Sequence, residues 1–117
     1  MSLDRFDVRV YPRRYGKTTS LVKHIIKAEK DSEVDFVVLL GRFDNITENL
    51  LRELPEEVIK SGKFRRGSFF NIHEIVVGFK NVKIFYDEIS QLSTIEFINL
   101  MNFVKERPNI SLLAFTS

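Results

Sequence analysis

Three short stretches of this sequence carry residue types that could do chemistry together. Gly16-Lys17-Thr18 offers a glycine that permits close backbone approach, an ammonium for phosphate oxygens and a hydroxyl suited to Mg²⁺. Asp87-Glu88 offers adjacent carboxylates: one can reach a metal's water shell while the next approaches a terminal phosphate and polarises the attacking water. Thr116-Ser117 adds two hydroxyls able to sense that phosphate. The full phosphate-loop pattern, G-x-x-x-x-G-K-[ST], places a further glycine five positions before Gly16, where this chain has Tyr11. A bare Gly-Lys-Ser/Thr arises by chance in about one chain in twenty of this length, so its weight depends on which elements position it.

Phe6-Asp7-Val8-Arg9-Val10 alternates apolar and polar residues, which predicts a strand ended near Tyr11 by Pro12. Leu21, Val22, Ile25 and Ile26 recur at helical spacing from Thr18 to about Lys30, with Lys23, His24, Lys27 and Lys30 opposite. Val34 to Leu40 reads as a strand covered on both faces. Asp44 or Asn45 can cap a helix bearing Ile46, Leu50, Leu51 and Leu54; Pro55 ends or kinks it before a turn through Val58 and Ile59, closed by Ser61-Gly62. Between Lys63 and Lys80 the pattern is least regular, and Phe69-Phe70 with Ile75-Val76-Val77 suggests a small antiparallel hairpin within residues 68–79. Val82 to Tyr86 is a strand entering Asp87-Glu88. Ser93 and Glu96 form a capping box for a helix bearing Ile95, Ile98, Met101 and Val104, with Pro108 beyond its end, and Ile110 to Phe115 is the last strand. Four strands alternating with three helices predict an α/β domain with a largely parallel sheet, whose ligands sit at the carboxyl ends of the strands. All three reactive stretches fall on such ends, in order, which independent coincidences would not arrange.

Composition bounds the rest. A chain of 117 residues without an internal break fits one domain, 1–117, and 44% apolar residues with 11 Phe provide for a core. A net charge of +2 gives no global argument for nucleic acid or membrane, so such arguments rest on the local clusters Arg13-Arg14 and Lys63-Phe64-Arg65-Arg66. Absence of Cys excludes a disulfide framework and Cys-rich zinc sites, and the two His are too far apart in sequence to suggest a local metal pair. No apolar run approaches the roughly 20 residues of a membrane span, and Asp4-Arg5 interrupts a signal-peptide pattern. The expectation is a soluble, cytoplasmic protein. His24 on the helix's polar face and His73 in a turn read as solvated or hydrogen-bonded. Phe69, Phe70, Phe85, Phe97 and Phe103 read as core.

The series Pro12-Arg13-Arg14-Tyr15-Gly16-Lys17-Thr18-Thr19, Ile84-Phe85-Tyr86-Asp87-Glu88 and Leu112-Leu113-Ala114-Phe115-Thr116-Ser117 resembles the additional-strand catalytic-glutamate P-loop ATPases. Within that class it looks most like the ATPase domain of viral terminase large subunits and related DNA-packaging or helicase-like motors. The resemblance implies a three-layer α/β/α P-loop NTPase core binding ATP and Mg²⁺, in host cytoplasm if viral. It makes Lys17 and Thr18 ligands of phosphate and Mg²⁺, Asp87 the Mg²⁺ organiser, Glu88 the catalytic carboxylate and Thr116 the coupling residue. Arg13 or Arg14 would contact the γ-phosphate, and Tyr15, Gly16 and Thr19 complete the loop, where Tyr15 could stack on a base. The chain departs from the family in its short lead-in to strand one, in stopping at the coupling motif and in carrying no nuclease domain. Those departures suggest a truncated or minimal motor completed by a partner or a neighbouring subunit.

Three functional classes follow. The first is an ATPase acting on nucleic acid as an oligomer, with DNA contacted through Lys63, Arg65 and Arg66 and with Arg65, Arg66 or Arg107 offered to a neighbour's γ-phosphate. The second is a non-hydrolysing nucleotide-binding assembly module. The third, a small P-loop kinase, ranks last because no Arg-rich lid follows the third helix.

Overall fold

Strand and helix alternate along the chain, and a single sheet collects all the strands. The computed structural model describes residues 5–12, 16–42, 48–76 and 81–116. Its strands are β1 (Phe6–Val10), β2 (Phe36–Gly41), β3 (Phe64–Ser68), β4 (Val82–Asp87) and β5 (Ile110–Thr116). Its helices are α1 (Lys17–Lys30), α2 (Glu48–Leu51), α3 (Glu56–Ile59), α4 (Ile72–Val76) and α5 (Thr94–Lys105). The strands are all parallel, in the order β1-β5-β4-β2-β3. Parallel neighbours need a crossover between them, so every strand delivers its carboxyl end to the same edge.

Helices cover both faces. Alternation along β4 sends Val82, Ile84 and Tyr86 to one core, shared with Ile72 and Val76 of α4 and Leu100, Phe103 and Val104 of α5. Phe85 turns the other way, into a core with Leu21, Ile25 and Ala28 of α1, Leu50 of α2 and Val58 of α3. Val37 to Leu40 of β2 are fully buried, as the continuous apolar run required. α5 begins at its capping box: Ser93 Oγ accepts from the Glu96 N–H at 3.1 Å, and Glu96 Oε1 accepts from the Ser93 N–H at 2.9 Å.

Two expectations fail between Lys63 and Val76. The hairpin is absent: Phe69–Asn71 form a 3₁₀ turn that leads directly into α4, so the described part of residues 68–79 is helical apart from Ser68, and 77–79 lie outside the described residues. A capping interaction outweighs the β-propensity of the aromatics, with the Ser68 N–H donating to Asn71 Oδ1 at 2.8 Å, and Ile72 and Val76 bury at i, i+4 spacing. His73 accordingly stands in α4, edge-on to Phe103 with ring centres 4.5 Å apart, rather than in a turn. The second failure is β3, a fifth strand that periodicity missed because Phe-Arg-Arg-Gly-Ser does not alternate. Pairing with β2 makes it a strand, and Gly67 is required there, since a Cβ would overlap Ile75 Cδ1 and lie 2.8 Å from Asn71 Oδ1. The suggested caps Asp44 and Asn45, with Ile46, lie outside the described residues, and the helical segment beyond them is broken at Pro55 into α2 and α3.

Candidate functional site

Register decides what meets at the carboxyl edge. Val10 pairs with Thr116 and Asp87 with Phe115, so the ends of β1, β5 and β4 are level. β1 leads through Tyr11 and Pro12 toward Gly16 and α1, whose first residue is Lys17. Gly16 adopts φ 84°, the left-handed region that a side chain disfavours, and among the described residues other than its chain neighbours none would lie within 4 Å of a Cβ there. Thr18 and Thr19 in the first turn of α1 are exposed. Arg13, Arg14, Tyr15 and Ser117 lie outside the described residues.

Tyr11, where the motif would have its first glycine, has a structural task. Its ring stacks on Phe115 with centres 5.8 Å apart, and its hydroxyl lies 2.7 Å from Ser20 Oγ. This residue fastens the entry of the loop to β5 and to the first turn of α1.

Lys17 Nζ stands between both carboxylates. It lies 3.1 Å from Asp87 Oδ1 and donates to Glu88 Oε1. The Asp87 contact is an ion pair, and Oδ1 is a buried oxygen whose charge is met by that ammonium. Asp87 falls on the α1 side of the sheet by strand alternation, one step beyond Tyr86. Glu88 would then face away, yet its backbone takes φ 60°, ψ 60°, and it too reaches Lys17. Both carboxylates thus converge on one ammonium. A glutamate in the left-handed region stores strain of order 1–3 kcal/mol, a feature that clusters at functional sites. Ile89, the next residue, is buried in the core shared with α5, and that burial holds the turn in place.

Two hydroxyls fix the second oxygen of Glu88. Thr116 Oγ1 donates to Oε2 at 3.1 Å and Ser90 Oγ donates to it at 2.7 Å. Sequence reasoning picked out Thr116 but missed Ser90, whose signal was a hydroxyl two residues beyond the glutamate.

Electrostatics here are unbalanced. Burial pushes the Asp87 carboxyl above its ordinary value against the pull of Lys17, and Glu88 pushes it further. Burial opposes the charge of Lys17, but the hydrogen bond to Glu88 and the field of Asp87 outweigh it and hold the ammonium above its ordinary value. Among the described residues the Lys17 ammonium holds both carboxylates at the start of a helix, where the helix dipole favours anions.

The basic residues suggested for DNA are differently engaged. Lys63 Nζ donates to the carbonyls of Glu29 and Asp31 at 2.9 and 2.6 Å, closing the C-terminus of α1. Arg65 lies over the Phe36 ring at 4.9 Å and donates to the Phe64 carbonyl at 3.1 Å. Arg66 is exposed on β3, at the sheet edge far from β1. Arg107 lies over Phe103 at 4.0 Å, beyond the end of α5 and so at the opposite end of the strands from Lys17. His24 is half-buried beside Phe85 and Phe115; burial and then the charges of Arg9, Lys27 and Lys83 hold its pKa below the ordinary value.

Two open clefts of about 330 and 320 Å³ lie toward the amino ends of the strands, lined by Arg5, Asp31 and Lys83 among others, and include none of Lys17, Asp87, Glu88 or Thr116. Volume and chemistry point to different ends of the sheet. Chemistry is the better guide here, because a phosphate site needs convergent charge and bare backbone at a helix start more than an enclosed cavity. Among the described residues no group of His, Asp and Glu forms a metal cage, and none is long and apolar enough as a helix to cross a membrane. No family model, curated protein or solved structure matches the chain, so its functional reading rests on the geometry of this edge and on its motifs.

Proposed function

We propose that this chain binds ATP with Mg²⁺ at the carboxyl edge of its sheet and hydrolyses it, as the ATPase domain of a nucleic-acid motor of the terminase or helicase-like kind. The observation that carries the reading is the convergence of Lys17, Asp87, Glu88 and Thr116, from a helix start and two strand ends, on a glutamate held at φ 60°. Strand order supports it: β5 stands between the strand that enters the loop and the strand that carries the carboxylates, an additional strand of the sort for which the resembling class is named.

Each residue then has a task. The backbone N–H groups at Gly16 and in the first turn of α1 donate to phosphate oxygens, and the Lys17 ammonium leaves the carboxylates to neutralise them. Mg²⁺, when bound, neutralises charge on the transferring phosphoryl group. The donor set fits such an ion: Thr18 would supply a hydroxyl, and Asp87 a buried carboxylate oxygen once Lys17 turns to the phosphates. Glu88 takes the proton of the attacking water, while Thr116 and Ser90 hold its other oxygen and thereby fix its direction. Thr116 also links that carboxylate to β5, a route by which hydrolysis can be felt elsewhere in the sheet. Because Lys63 and Arg65 are committed to contacts within the chain, the motor part of the reading rests on the resemblance of the motifs.

The discriminating experiment is nucleotide binding and phosphate release by the wild type and by Glu88→Gln, with and without DNA. A hydrolase keeps binding and loses turnover in the variant; a pure binding module shows no turnover in either protein.

A further inference from the structure

Among the described residues β1 is the last strand of the sheet, with β5 on one side and no strand on the other. Its pairing fixes which backbone groups face outward. The Tyr11 N–H donates to the Thr116 carbonyl at 2.9 Å, and Val10 is the register partner of Thr116. The peptide groups of Asp7, Arg9 and Tyr11 therefore point into the sheet, and those of Phe6, Val8 and Val10 point out of it. The side chains of those three residues share a face with their register partners Leu112, Ala114 and Thr116. Phe6 is packed edge-on against Phe97 of α5, but Val8 is 38% exposed and Val10 72%.

Charges on an edge strand ordinarily keep other strands away. Those of β1 are placed so that they would attract a second copy. We propose that two copies of this chain pair antiparallel through β1, about a two-fold axis at Val8, to continue the sheet from one copy into the other. In that register Phe6 stands opposite the partner's Val10 and Val8 opposite the partner's Val8. The outward N–H and C=O groups of Phe6, Val8 and Val10 fall at hydrogen-bonded positions and all find partners, while exposed Val8 and Val10 gain apolar neighbours. Asp7 stands opposite the partner's Arg9 at non-hydrogen-bonded positions, where side chains approach most closely, about 4.5–5.5 Å between Cβ atoms. Within one chain the Asp7–Arg9 ion pair is loose, at 3.6 Å, with the side chains 59% and 47% exposed, and Arg9 also lies 3.4 Å from His24 Nε2, an exposed contact that it would exchange for the partner's Asp7.

Charge also selects the register. Sliding by two residues in either direction keeps the outward peptide groups opposed, but it sets Asp7 against the partner's Asp7 or Arg9 against the partner's Arg9. Opposite pairs across strands stabilise and like pairs destabilise, so the register centred on Val8 is preferred. An antiparallel pair sends the carboxyl ends of the two sheets in opposite directions. The two phosphate-binding edges then lie at opposite ends of the dimer, and neither chain lends an arginine to the other's site.

Sedimentation equilibrium and light scattering on purified protein test the pairing, with circular dichroism as the control for folding. The wild type is expected to associate to a dimer. Val8→Pro removes only an outward N–H and should yield a folded monomer. Asp7→Arg and Arg9→Asp should each be monomeric, an equimolar mixture of the two should form heterodimers, and the double variant D7R/R9D should dimerise again. That rescue separates loss of complementarity from loss of fold. A wild type that stays monomeric up to about 1 mM, or a dimer indifferent to Asp7→Arg and Val8→Pro, would overturn the proposal.

Discussion

Two clusters of charge stand at the carboxyl edge of the same sheet, and they are built to different ends. On the α5 side Arg42, just beyond β2, grips Glu96 with two parallel hydrogen bonds of 3.1 Å, and Glu96 in turn closes the capping box with Ser93. Directions match at this pair, and the hydrogen bonds from Arg42 and then the Ser93 N–H hold the Glu96 carboxyl below its ordinary value. On the α1 side one ammonium meets two carboxylates, one of which is pushed above its ordinary value by burial, while the other sits on a backbone at φ 60°. Folding alone would favour the first arrangement. The second keeps a buried carboxyl above its ordinary value and a strained residue in place, which makes sense if a ligand of its own charge is to compete for Lys17.

The variants that break this contrast can be ranked. Lys17→Ala should have the largest effect: ATP binding by isothermal titration should disappear, and any phosphate release should fall by about 100-fold or more. Arg42→Ala, tested in parallel, should leave both intact. Glu88→Gln should lower turnover by about 10²–10⁴-fold, the usual range for a general base, with the dissociation constant for ATP changed far less.

Strain at Glu88 gives a prediction on stability. With the carboxylate removed in both, Glu88→Gly should be more stable than Glu88→Ala by about 1–2 kcal/mol in denaturant unfolding, because the left-handed conformation penalises alanine and not glycine. Ser93→Ala, at the satisfied cluster, should cost about 1 kcal/mol of stability and leave turnover unchanged.

The smallest effect is one of pH. Since the folded chain holds the Asp87 proton more tightly than the unfolded chain does, the ionised carboxylate costs stability above its ordinary pKa, and the cost is relieved as pH falls through the raised folded value. Asp87→Asn should therefore have a higher melting temperature than the wild type at neutral pH, with the gap narrowing in acid. For Lys17 the sign is the reverse: its raised value adds stability that is fully present below 10.5 and lost as pH rises beyond it.

Much of this contrast was legible in the sequence, and for identifiable reasons. The capping box of Ser93 and Glu96 is local, as are the amphipathic spacing of α1 and the buried run of β2, so spacing alone located them. The order of the reactive stretches placed Lys17 at the helix start that follows β1 and Asp87, Glu88 and Thr116 at strand ends, and a parallel sheet must bring these together. What escaped depended on tertiary partners. β3 has no periodicity of its own and is made a strand by β2. The turn at Phe69–Asn71 depends on Asn71 reaching back to Ser68. Nothing local in Asp87-Glu88-Ile89 announces φ 60°; burial of Ile89 against α5 imposes it. Lys63 and Arg65 looked like a basic patch because a sequence does not show that helix-end carbonyls and an aromatic ring lie within reach of them.

The most direct measurement is Mg²⁺-dependent phosphate release from ATP by the wild-type chain beside Glu88→Gln, with ATP affinity measured on both. The expected result is release by the wild type, near-complete loss of it in the variant, and similar affinity in the two proteins. Equal turnover in both, or no ATP bound by the wild type, would contradict a hydrolytic site built on Lys17, Asp87, Glu88 and Thr116.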